Sequence, residues 1–150
     1  MGRWMIGIGL VAVIAIGALV FRDVLPGGGG ELKVGDCFDV PTSREIDHLQ
    51  HHPCAEAHDG EVILVSDFTG SDTYPTTTAF DNWVKTECAG TAFRDYVGES
   101  FEARKDLDLG YFPPNKGRWT RDRDRVMICY VTSVAGKVTV SFAKAAPATN

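Results

Sequence analysis

The sequence predicts an α+β domain: a small, mostly antiparallel sheet with one main helix, stapled by disulfides and preceded by one transmembrane helix. Three observations carry that class. The run Met5 to Phe21 (MIGIGLVAVIAIGALVF) holds no charged or strongly polar side chain. Thr78 to Val97 carries an apolar stripe at three-to-four spacing, the period of a helix with one buried face. Beyond residue 31 come short β-branched runs separated by turn residues, and all four cysteines lie there. A chain of 150 residues has room for one such domain and not for a second sizeable core.

As a helix, the apolar run is roughly 26 Å long, near the short end of a membrane span. Trp4 can sit at one interface and Arg22 can extend its charge to the other. Arg3 and the α-amine precede the run, whereas Arg22 and Asp23 cancel after it, so the charge bias favours a cytoplasmic N-terminus and an exported C-terminal part. A cleavable signal peptide competes, because Ala15 and Gly17 are small residues at suitable spacing. The run continues through Val20 and Phe21 without a polar end, however, and the first cysteine is Cys37, too distant for lipid attachment. The expectation is a single-pass protein of the cytoplasmic membrane whose residues 4–22 contact lipid. Residues 1–22 form the stub and signal anchor, and 23–30 a linker ending in Pro26 to Gly30 (PGGGG), a helix stop and flexible tether. The folded domain spans 31–144, and 145–150 form a tail.

An even number of cysteines in a small exported domain reads as two disulfides. Three connectivities are possible. The expected one joins Cys37 to Cys54, closing a short loop, and Cys88 to Cys129, tying the helix to a strand. Each would contribute roughly 3–4 kcal/mol by chain entropy. A zinc site on His51, His52, Cys54 and His58 is the competing reading. No CxxC or HxxxH pair occurs, and a disulfide would consume Cys54, so neither metal nor cofactor is expected.

The elements follow in order. Leu32 to Val40 reads as a short strand or extended entry, and Glu61 to Ser66 (EVILVS) as a central strand. The helix buries Phe80, Trp83, Val84, Cys88, Ala92, Phe93, Tyr96 and Val97, with Thr78 as its cap and Gly98 as its stop. Leu107, Leu109 and Tyr111 alternate as a strand until Pro113-Pro114. Val126 to Thr132 and Val138 to Phe142 suggest a hairpin around Ala135-Gly136-Lys137. Trp83 and Trp119 read as core.

The succession LKVGDCFDV, PC-x3-HDGEV, a Tyr-Pro before a Cys-bearing helix ending F-x2-Y-x-G, and a Trp shortly before DR-V-x2-C resembles the actinobacterial septum-formation domain family, a group of membrane-anchored exported domains. The likeness runs from Leu32 to Cys129. It implies a link to cell division and supplies no reaction. Arg123 stands where the family pattern has Gly, and Ala57 where it has Pro.

His58-Asp59, with Glu61, invites a general-base reading. No G-x-S-x-G or S-x-x-K arrangement positions a hydroxyl nucleophile, and the thiols are expected to be oxidised. The preferred reading is that Asp59-Gly60 turns the chain into the Glu61 strand with His58 hydrogen-bonded nearby, while His48, His51 and His52 lie in a solvated loop. Lys116, Arg118, Arg121, Arg123 and Arg125 form the one basic cluster. In a strand, these arginines would share a face opposite Asp122 and Asp124, either meeting an anionic lipid or wall polymer or serving as a charged edge that resists aggregation. With 20 acidic and 15 basic residues and a net charge of −5, a nucleic-acid partner is not expected. The function expected is therefore a non-enzymatic, membrane-anchored binding module for an envelope or division protein, with His58, Asp59, Arg121, Arg123 and Arg125 as candidate contacts. The alternatives are an envelope hydrolase using His58 and Asp59, or an accessory subunit whose Gly7, Gly9 and Gly17 allow close helix contact.

Overall fold

The computed structural model describes residues 32–42, 49 and 51–145. The expected stub, anchor and linker, His48 and all of the tail but Ala145 lie outside them. Among the described residues no helix is long and apolar enough to cross a membrane.

Five strands form one sheet: β1 (Cys37–Phe38), β2 (His51–His52), β3 (Gly60–Asp67), β4 (Leu107–Phe112) and β5 (Val126–Ser133). Their order is β2-β1-β3-β5-β4, and every neighbouring pair is antiparallel. The long apolar strand expected at Glu61 to Ser66 is indeed central. The Leu32–Val40 segment contributes only Cys37–Phe38 to the ladder.

The main helix begins at α1 (Thr77–Trp83), continues through a π-wound segment (Val84–Ala92), and ends in α2 (Phe93–Val97). Thr76, not Thr78, is the cap: its hydroxyl oxygen accepts from the Ala79 amide at 3.2 Å. Gly98 ends the helix at φ 90°, a left-handed turn that glycine takes without a Cβ clash. The axis breaks at Gly90, whose φ −83° and ψ −108° are not helical. Buried Cys88 and Phe93 are five residues apart, a step that fits the wider π winding better than an α turn.

Two expected features are corrected. No hairpin forms beyond β5, because both of its edges are already occupied by β3 and β4. Val138 instead exchanges a pair of backbone bonds with His58, each 3.0 Å. Nor do the arginines lie on a strand. Asn115 Oδ1 caps the amides of Gly117 (2.8 Å) and Arg118 (3.2 Å), starting a helix, α3 (Lys116–Arg121), that buries Trp119. Trp83 is half-buried and packs against the same aromatic group.

The helix covers one face of the sheet, packing Cys88, Phe93 and Val97 on Ile63, Leu107, Cys129 and Val131. Leu32 and Leu49 close the other face over Phe38, Val62, Phe112 and Ile128. A third cluster, Phe68, Phe80, Trp119 and Met127, fills the end of the sheet under α3. The disulfides join Cys37 to Cys54 and Cys88 to Cys129, as expected, with Cα separations of 5.3 and 6.1 Å.

Candidate functional site

Antiparallel register assembles the most polar part of the interior. Cys37 on β1 stands opposite Glu61 on β3 and opposite His52 on β2. Cross-strand partners project to the same face of a sheet, so these three side chains are neighbours although up to 24 positions separate them. The chain leaving β2 reaches Cys54 two residues later, which brings its sulfur onto Cys37. His58 precedes β3 by two residues and is held by its backbone pairing with Val138.

His58 is 0 % exposed and Glu61 1 % exposed. Nδ1 of His58 lies 2.8 Å from the Glu56 carbonyl, which can only accept, so Nδ1 carries the proton. Nε2 is buried without a hydrogen-bond partner among the described residues. Glu61 accepts from three donors: the Tyr96 hydroxyl, the Ser141 hydroxyl at 2.5 Å and the Phe142 amide at 2.6 Å. Burial, and then the Glu61 carboxylate, push the Tyr96 phenol well above its usual value, so it remains a donor. A ring nitrogen of His58, Sγ of Cys37 and a Glu61 oxygen all lie within 4.8 Å of one another. Those groups could supply metal ligands only with the disulfide opened, because the metal-binding species is the thiolate.

Asp59 faces outward from this cluster. Its Oδ2 accepts from the Val40 amide at 3.2 Å and lies 3.3 Å from Lys137 Nζ, which also bonds Asp39. Burial alone would raise the Asp39 carboxyl, but Lys137 and His52 outweigh it and hold it below the usual range. His52 Nε2 sits 3.1 Å from Asp39 Oδ2 without hydrogen-bond geometry, and His51 Nδ1 sits 3.7 Å from Asp36 Oδ2. The two histidines therefore belong to a half-buried strand with acidic neighbours, which corrects the solvated-loop expectation. The expected Asp59-Gly60 turn is only a bend at Asp59, since Gly60 is already the first residue of β3 and is needed there because a Cβ would fall 2.9 Å from the Phe38 ring.

The basic cluster divides. Arg125 stacks its guanidinium 3.6 Å above Trp119 and donates to the Trp119 carbonyl, so it braces the fold. Arg121 forms a two-pronged pair with Asp122. Arg118, Arg121 and Arg123 are exposed on α3 and the turn after it, some distance along the chain and the sheet from His58. The structure thus gathers Cys37, Cys54, His58 and Glu61, keeps Asp59 at their rim, and leaves the arginines out. Proximity of Cys37 to His58 and Glu61 has no signal in their spacing; it follows only from the β1–β3 register.

The family model described as septum formation matches residues 30–129, a span containing all four cysteines, His58-Asp59 and the arginines. No curated protein and no solved structure matches the chain.

Proposed function

Because the chain belongs to the septum-formation family, we propose that it is a membrane-tethered, exported module that binds a protein or envelope component during cell division and does not turn over a substrate. The family description suggests a role in division or the envelope. The anchor reading rests on Met5 to Phe21 and the charges around it.

The observation that supports binding over hydrolysis is the closure of the polar cluster. His58 is 0 % exposed, fixed by two backbone bonds to Val138, and its Nδ1 is committed to the Glu56 carbonyl. A general base must reach the proton it abstracts from a bound substrate, and this imidazole faces the protein. The exposed Arg118, Arg121 and Arg123 then form the surface best suited to an acidic partner or anionic polymer, as solvent-facing cations on a capped helix and the turn after it.

Two measurements test this. An alkaline phosphatase fused after residue 144 should be active, whereas activity of a cytoplasmic reporter at the same position would reject the topology. Crosslinking from intact membranes should capture a partner with the wild type and with His58→Ala, and lose it with Arg121→Glu combined with Arg123→Glu. A His58→Ala chain that melts like the wild type yet fails to complement a deletion strain would move the function to His58.

A further inference from the structure

The two disulfides sit in different chemical surroundings. Cys88 and Cys129 are both 0 % exposed within the apolar core, flanked by Phe93 and Val131. Cys37 is 1 % exposed, but Cys54 is only half-buried, so solvent reaches this bond from one side. Behind it lie the only two buried titratable side chains among the described residues, His58 and Glu61.

The imidazole presents a specific puzzle. Its Nε2 lone pair is buried and unpartnered, which costs about 1–3 kcal/mol relative to a satisfied acceptor. A ring nitrogen of His58 lies within 4.8 Å of the Cys37 sulfur and the Glu61 carboxylate, and with Nδ1 bound to Glu56 the nitrogen left without a partner is Nε2. Neither neighbour can donate to it. A disulfide sulfur carries no hydrogen, and Glu61 is already serving as acceptor to Tyr96, Ser141 and Phe142. Opening the disulfide changes that, because a Cys37 S–H is a donor at the one place where Nε2 lacks one.

We propose that Cys37–Cys54 is a site of thiol–disulfide exchange with a dithiol, with His58 carrying the proton to and from Cys37. A thiolate of the dithiol attacks Cys54 Sγ from the solvent side. The new S–S bond forms there as the Cys37–Cys54 bond breaks, and the electron pair leaves on Cys37 Sγ. The proton lost by the incoming thiol reaches Cys37 through Nε2, ending in a Cys37 S–H···Nε2 bond. The second thiol of the reagent then attacks its own half of the mixed disulfide and releases Cys54, which takes the second proton. The dithiol leaves as a disulfide, and two electrons and two protons have passed to Cys37 and Cys54. A sulfur with a proton donor beside it is the better leaving group. Run backwards, the same steps reduce a partner disulfide to a dithiol when the domain holds Cys37 and Cys54 as thiols. This chemistry needs access to Cys54 alone, so it is compatible with a closed His58 and independent of the arginine surface.

The full native chain is treated with dithiothreitol and its free thiols are alkylated at intervals and mapped. Cys37 and Cys54 should become labelled at least about tenfold faster than Cys88 and Cys129. In His58→Gln, whose amide can still donate to Glu56, the first rate should fall by about tenfold or more while the Cys88 and Cys129 rate stays unchanged. Cys37→Ser should form a mixed disulfide at Cys54 with oxidised glutathione while folded. Opening of both disulfides at one common rate, a Cys54 thiol that stays unmodified in Cys37→Ser, or a folded His58→Gln chain that exchanges like the wild type would each overturn the proposal. If His58→Gln does not fold, the labelling order and the Cys37→Ser result decide it.

Discussion

Arg123 holds φ at 55°, the one non-glycine residue among those described to adopt a positive φ. A Cβ in that region crowds the following carbonyl at a cost of roughly 1–2 kcal/mol. The turn is imposed by its neighbours: the amides of Asp122 and Asp124 both bond the Arg118 carbonyl, and Arg125 is pinned on Trp119. Arg123→Gly should therefore raise stability by about 0.5–1 kcal/mol, the relief of strain less glycine's larger unfolded entropy, as read from urea midpoints. The resemblance had marked this position as a glycine, and the backbone supplies the reason. Glu61 behaves in the opposite sense. Glu61→Gln turns a buried acceptor into a partial donor facing three donors and should cost about 2–4 kcal/mol. Its partner gives a pH signature. The Tyr96 phenol is raised in the folded state, so its contribution is intact below its unfolded value near 10 and is lost as pH climbs beyond it. Tyr96→Phe should flatten that alkaline decline in melting temperature; an unchanged pH profile would place the decline elsewhere. At this scale the sequence exposed the identity of His58, Asp59 and Glu61 but not their company. Cys37, 24 positions from Glu61, becomes its neighbour only when β1 lies against β3.

The main helix was legible because its signal is redundant: a stripe of eight apolar positions, a threonine-rich start and Gly98. The structure buries or half-buries all eight. What the stripe could not reveal was the π winding, since the step from Cys88 to Phe93 also fits a slightly rotated α-helix face. β5 was equally plain, yet its expected hairpin partner was misplaced. Val138 to Phe142 carries the right alternation, but alternation says nothing about whether an edge is vacant, and β4 had already taken it. The arginine segment failed for a related reason. Alternating Arg and Asp reads as period two, whereas the Asn115 cap and the need to bury Trp119 impose a helix followed by a turn. The sheet's own packing is exposed to a small change at Gly110, where an added methyl would meet the Tyr130 ring, itself packed edge-on against Phe38 and tilted against Phe112. Gly110→Ala should cost about 1–3 kcal/mol by displacing that ring. Thermal melting would check it, and a matching loss of near-ultraviolet circular dichroism would tie the cost to the aromatic stack.

For the whole molecule, three apolar clusters and two disulfides are all formed by residues 32 onward. A chain of residues 31–145 should therefore fold alone, with both disulfides and a single cooperative melt; scrambled cysteines in that fragment would show that the preceding residues guide folding. The fold class was readable at this scale because composition changes so sharply at the Gly run, while strand order was not, since β1 comes first in sequence yet lies inside the sheet. That placement bears on mechanics. Under the proposed tether, a pull from the N-terminal side would enter at Leu32 and pass to β1, which is flanked by β2 and β3 and bolted to Cys54. Tension applied there shears two ladders at once instead of peeling an edge. Should the fold yield, the crosslinks still withhold the 17- and 41-residue intervals they span. A force trace on the reduced chain should therefore run longer than one on the oxidised chain by about 20 nm, and the first bond to open would set how far the C-terminal end can be drawn from the proposed tether.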